Sequence, residues 1–178
     1  MTSFEVPVYS ETPEALKEVY DKFQKTIGFV PNLYATIGYS PNALNAYAEF
    51  AARQSKGTFH AKDREAIYLI VSQLNGCHYC LASHTESAIA HGWPEEETLE
   101  IRKGTHPELK WQVLYRVIKS VIENKGAVDR GLLEAFSSLG YGNAALMDLI
   151  SLIMVMSLTN YVYRLTQIPI DYPLAKEI

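Results

Sequence analysis

Four side chains within residues 65–84 have the types and spacing to do chemistry together: Glu65, Cys77, Cys80 and His84. The two cysteines are the only ones in the 178-residue chain, and they form a C-x-x-C. His84 stands four residues after the second, and eleven residues separate Glu65 from the first. A thiol attacks or exchanges as its anion, so it needs a base to take its proton, and that base needs a partner to orient it. Thiol, imidazole and carboxylate supply those three parts.

The elements that must position them can be read from the same stretch. Residues 62–75 carry apolar side chains at Ala66, Ile67, Leu69, Ile70, Val71 and Leu74, with the charges mainly in the first turn. That pattern predicts a largely buried helix whose acids lie near its positive end. Asn75-Gly76 stops it, because glycine takes a left-handed cap without steric cost. A second helix is expected from about residue 77 to 90, ended by His91-Gly92, with the C-x-x-C in its first turn. Free N–H groups there favour a thiolate. Residues three apart share a helix face, so Cys77 and Cys80 are close enough to close a disulfide, and His84 lies at i+4 from Cys80. If the helices fold back antiparallel around Gly76, Glu65 lies about 16 Å from the turn, His84 about 12 Å and Cys80 about 6 Å. Glu65 then reaches His84, directly or through one water, but not Cys80.

This signature, E-x11-C-x2-C-x3-H, resembles that of the AhpD-like alkylhydroperoxidases within the carboxymuconolactone decarboxylase superfamily. The stretch Gly-Cys-His-Tyr-Cys-Leu-Ala-Ser-His at residues 76–84 is similar to the peroxidase-related branch, as are Gly28-Phe29-Val30-Pro31-Asn32-Leu33 and Ser40-Pro41. The resemblance implies an all-α AhpD-like fold around a central helix hairpin, and a cysteine-based peroxidase or thiol–disulfide oxidoreductase. It implies that Cys80 meets the peroxide, Cys77 resolves it, and His84 and Glu65 relay protons. The implied partners are a peroxide and an external dithiol reductant, lipoamide- or thioredoxin-like, with no bound organic cofactor and no metal. A homo-oligomer, trimer or hexamer, is implied as well. One departure stands out: Tyr79 occupies the place of a second histidine, and His78 comes one residue earlier.

Composition sets the outer limits. Hydrophobic residues make up 48% of the chain and charged residues 20%, ordinary for a soluble globular protein. The net charge of −4 with no basic run argues against nucleic acid and anionic membranes. Residues 1–10 lack the basic and apolar parts of a signal peptide. A lone C-x-x-C suits a reducing compartment, so a cytoplasmic location is expected. One domain is expected over 1–178, with a core at roughly 40–125 and helical extensions on either side.

Along the chain, residues 1–11 read as an extended lead-in. Thr12-Pro13, Ser40-Pro41, Asp129 and Asn143 read as helix starts, and Thr105-His106-Pro107-Glu108 has capping-box spacing. No segment alternates with period two for long enough to make a strand. The apolar run at 149–156 reads as a core or interface helix, too short for a membrane span. Residues 148–160 faintly echo 63–75, which suggests a degenerate internal repeat. His60, His78, His91 and His106 read as solvated or cap-bonded. Asn160 and Arg164, at i and i+4 on an apolar helix, read as helix glue or as side chains facing the site or a subunit seam. Other readings of the central stretch stay open: two inert core cysteines, a zinc-binding or redox regulatory module, or an acid/base decarboxylase or lactone enzyme using His84 and Glu65.

Overall fold

A computed structural model describes residues 4–8 and 12–178; residues 1–3 and 9–11 of the expected lead-in lie outside the described residues. The described residues form helices and loops, with no strand among them. A 3-10 turn, Glu14–Leu16, leads into α1 (Lys17–Ile27), α2 (Asn32–Ile37), α3 (Pro41–Gln54), α4 (Ala61–Leu74) and α5 (His78–Ala90). Then come α6 (Glu95–Lys103), α7 (Leu109–Glu123), α8 (Arg130–Ser138) and α9 (Asn143–Thr166).

The expected buried helix is α4. It packs against α5, α6, α7 and α9, and buries Ala66, Ile67, Leu69, Ile70 and Val71. Helix α9 is its longest partner, and Leu149, Leu152 and Ile153 of α9 are also fully buried. The run at 149–156 lies within α9, which as a whole is long and apolar enough, by length and composition only, to cross a membrane. Here it is the core helix of a helical fold, with half of that apolar window buried.

Several helix starts shift from their expected places. Ser40 and Asp129 do cap α3 and α8, accepting from Ala43 N at 3.3 Å and Gly131 N at 2.8 Å. At α9 the N-cap is Gly142, and Asn143 is already helical. At the first turn the N-cap is Pro13, in an extended conformation, rather than Thr12. The capping box fails because α7 begins only at Leu109. Glu108 is its N-cap, the Thr105 hydroxyl turns back to Glu100, and the Glu108 N–H goes to His106 Nδ1 at 3.2 Å. His106 is itself buried, edge-on to Trp93 and Trp111, and not solvated.

The turn that joins α4 to α5 is tightly specified. Gly76 has φ +65°, and a Cβ there would lie 2.6 Å from Arg164 Nη1. That guanidinium donates to the carbonyls of Asn75 (3.0 Å) and Gly76 (3.4 Å), where the α4 dipole places negative potential. Gly76→Ala therefore costs about 1–2 kcal/mol in chemical denaturation. Most of that cost persists in an Arg164→Ala background, because the strain lies in the backbone while the guanidinium can move aside. A neutral Gly76→Ala would contradict this account of the turn.

Candidate redox site

Helices α4 and α5 fold back on each other, and the His84 Nδ1 meets Glu65 Oε2 at 2.7 Å. The direct version of the expected contact is the one observed. Both side chains are largely buried, at 19% and 12% exposure. Burial pushes the Glu65 carboxyl up, but the charge and hydrogen bond of His84, a hydrogen bond from Ser87 and the more distant His91 outweigh it. The net result is a carboxyl below its ordinary value, poised as an anion. Because Nδ1 is engaged, the His84 Nε2 is left to meet a substrate or a water. The Tyr68 ring fixes the imidazole from the side, at 4.9 Å between centroids.

Cys77 is the N-cap of α5, and its sulfur accepts the Cys80 N–H at 3.2 Å. Cys80, in the first turn, has its sulfur 3.9 Å from Thr159 Oγ1. Both thiols are free and buried. Their environments differ. Cys77 is held below the ordinary thiol value, first by the hydrogen bond from the Cys80 thiol and then, against burial, by backbone N–H groups and the Asn160 amide. Cys80 is pushed up by burial and by the neighbouring Cys77 sulfur, with Asn160 and Thr159 offsetting part of that. The acidifying effect expected of the helix start thus falls on Cys77.

Access follows the opposite order. A cavity of about 10 Å³, room for roughly one water, is lined by Cys80, His84, Thr159, Tyr34 and Tyr172, and not by Cys77. His84 and Cys80 share this cavity without a hydrogen bond between them. Among the described residues no group of three or more metal-ligating side chains occurs, since His84 is turned to Glu65.

Asn160 is the residue whose place was left open by sequence, and it reaches the site. Fully buried on α9, it accepts from Asn75 Nδ2 at 2.9 Å and donates to Ser72 at 3.3 Å. Asn75 in turn lies 3.5 Å from Ser157. These four residues fall at equivalent places in the faint echo between 63–75 and 148–160. The echo ends there, because α9 runs straight on where α4 stops. Arg164 serves the α4–α5 turn as described above.

The side chain at position 79 is engaged with Asp171 and Leu33. The Tyr79 hydroxyl donates to Asp171 and accepts from Leu33 N at 3.3 Å, and both burial and Asp171 drive its pKa far up. Asp171 also accepts from Asn32 N at 2.7 Å, and Asn32 Nδ2 donates to Pro169 O at 3.1 Å. The expected irregular tail is therefore strapped over the start of α5. Tyr172 lies between Phe29 and Tyr79, at 5.5 and 5.7 Å. Sequence reading passed over Asp171, Tyr172 and Thr159; no local spacing marks them.

The carboxymuconolactone decarboxylase family model matches residues 40–116, which hold all four site residues. No curated protein matches the sequence. Among solved structures, an uncharacterized peroxidase-related protein from Silicibacter sp. TM1040 is similar with a TM-score of 0.81 at 19% identity, covering 94% of this chain and 91% of that one. A peroxidase-related protein from Ralstonia eutropha JMP134, described as an alkylhydroperoxidase AhpD core, gives 0.80 at 15% identity over 94% and 91%. The debrominase Bmp8, as its C82A variant in complex with 2,3,4-tribromopyrrole, gives 0.79 at 16% identity over 96% and 93%. At such identities the likeness is one of fold, and it extends over nearly the whole of each chain. The hairpin core thus matches the carboxymuconolactone decarboxylase family model, and the fold over nearly the whole chain is the one shared by these AhpD-like, peroxidase-related structures.

Proposed function

We propose that the protein is a dithiol-dependent peroxidase, in which Cys80 attacks the peroxide and Cys77 resolves the product. The observation that carries this is the shared cavity of Cys80 and His84, with Glu65 fixed on the far side of the imidazole. Acidity alone favours Cys77 as the nucleophile, but Cys77 is sealed from that cavity, and this access supports Cys80 as the attacker. The Cys80 proton passes through the occupant of the cavity to His84, and Cys80 sulfur attacks the peroxide O–O bond. Cys80 becomes a sulfenic acid, and the alkoxide leaves as alcohol with the proton from His84. Cys77, already inclined to the thiolate, attacks the Cys80 sulfur. The disulfide forms and the sulfenic oxygen leaves as water with one further proton. The sum is two thiols and one hydroperoxide giving a disulfide, an alcohol and water. An external dithiol, lipoamide- or thioredoxin-like, then exchanges with the disulfide to restore both thiols. The reducing compartment this cycle needs makes a cytoplasmic location part of the proposal.

A second reading is thiol-driven dehalogenation of a small aromatic ring. It draws on the tyrosine rings 34, 79 and 172 around the Cys80 cavity and on the fold shared with the debrominase Bmp8. There C–Br becomes C–H, bromide leaves, and the dithiol supplies two electrons by closing to the disulfide. An acid/base enzyme of decarboxylase type would use only His84 and Glu65 and have no need of the cysteines.

Stopped-flow peroxide reduction separates these readings. His84→Gln slows the first attack by about 10²-fold or more, Glu65→Gln does so less, and the double variant costs little beyond His84→Gln. Cys77→Ser spares the first attack and stops turnover. Bromide release from a bromopyrrole without peroxide reduction would favour dehalogenation. Full activity of both cysteine variants on a lactone or β-keto acid would favour the acid/base enzyme.

Assembly is part of the same proposal. Met147, Met154, Leu158, Tyr161 and Leu165 form an exposed apolar stripe on α9, at steps of seven, four, three and four residues, the spacing of a helix–helix seam. A homo-oligomer, trimer or hexamer, buries it. Light scattering should return a multiple of the 20.0 kDa chain mass, and Leu158→Glu should lower it. The mass of one chain across a dilution series would remove this part.

A further inference from the structure

Arg102, in the last turn of α6, is 3% exposed and has no carboxylate within ion-pair distance among the described residues. Arginine is seldom so buried without a counter-ion, because taking its charge out of water costs several kcal/mol. Its Nε donates to Gln73 Oε1 at 2.9 Å and its Nη1 to the Lys176 carbonyl at 2.7 Å. These neutral partners orient the guanidinium but leave its charge unanswered. Among the described residues Nη2 has no partner, and it is not sealed off, since Thr85 Oγ1 is the one fully occluded polar side-chain atom without a hydrogen bond there.

Arg102 lies in the wall of a cavity of about 510 Å³, within the range of small-molecule sites. The rest of the wall is mainly apolar, with Leu81, Ile170 and Leu174 contributing. We propose that this cavity binds a small organic monocarboxylate, its carboxylate on Arg102 and its apolar body on those three residues. The charge balance selects a monoanion. Lys176 is spent on Glu95 at 2.7 Å, and Glu177 shares the wall without pairing with Arg102. Among the described residues a phosphate dianion would meet one free cation and nearby negative charge; a carboxylate meets a planar fork that matches it.

The position gives the pocket a bearing on the site. His78, on its rim, follows Cys77 directly, and Tyr163 belongs both to the pocket wall and to the surroundings of the two sulfurs. A bound carboxylate therefore sits against His78 and Leu81 of α5, while the cavity that opens on Cys80 is lined by Tyr79, Cys80, Ser83 and His84. The inference stands apart from the peroxidase reading, because binding is measured with no peroxide or thiol donor present.

The test is calorimetry and NMR on the full chain with hexanoate and benzoate. Hexanamide and benzamide serve as uncharged controls, and inorganic phosphate as an anion without an apolar body. At least one carboxylate should bind saturably, with intermolecular NOEs to the methyl groups of Leu174 or Ile170, while amides and phosphate should not. Arg102→Gln should weaken binding roughly 10- to 100-fold. The wild-type NOEs decide the matter even if that variant fails to fold. No NOE from either carboxylate, phosphate binding as tight as the carboxylates, or unchanged affinity in Arg102→Gln would each overturn the proposal.

Discussion

A helix enclosed on several sides keeps its polar side chains only where each finds a partner, and α4 is organised by that constraint. Glu65 is answered by His84 of α5, Ser72 and Asn75 by Asn160 of α9, Gln73 by Arg102 of α6, and the last carbonyls by Arg164. An unpartnered group at any of these places would cost about 1–3 kcal/mol. The same contacts that satisfy α4 therefore fix the angle at which α5 leaves it. The dithiol at the start of α5 inherits its position from that angle.

The dithiol shows how position becomes chemistry. Cys77 and Cys80 are three residues apart in one helix turn, yet one is an N-cap within reach of free N–H groups and the other faces the interior against Thr159. One sulfur is acidified and sealed, the other protonated and next to a cavity. In the proposed cycle access selects Cys80 as the attacker, which must first give up its proton, while the acidified Cys77 is ready to resolve the oxidised sulfur. The tail adds a second layer: Tyr172 closes the cavity, and Asp171 holds the tail to Tyr79 and Asn32.

What sequence disclosed and what it did not divide along contact range. The hairpin, its glycine turn and the pairing of Glu65 with His84 were legible because helical rise converts spacing into distance. Single helix starts were not: Asn143, Thr12 and Thr105 have the right residue types, but a neighbouring glycine, a proline and a late start of α7 take the cap elsewhere. Asn160 and Arg164 announced themselves as polar groups on an apolar helix, although their partners, 85 to 89 residues away, were not visible. Asp171, Tyr172 and Arg102 gave no local signal, since their roles come from contacts that only the packed chain creates.

The central claim is that the buried pair is a working redox couple, and the mass and thiol content of the intact chain test it most directly. After one equivalent of hydroperoxide the account predicts that both thiols disappear together and the mass falls by two hydrogens. Both thiols should return on adding a dithiol. A stable gain of oxygen on one cysteine with the other still free, or two thiols untouched by peroxide, would contradict it.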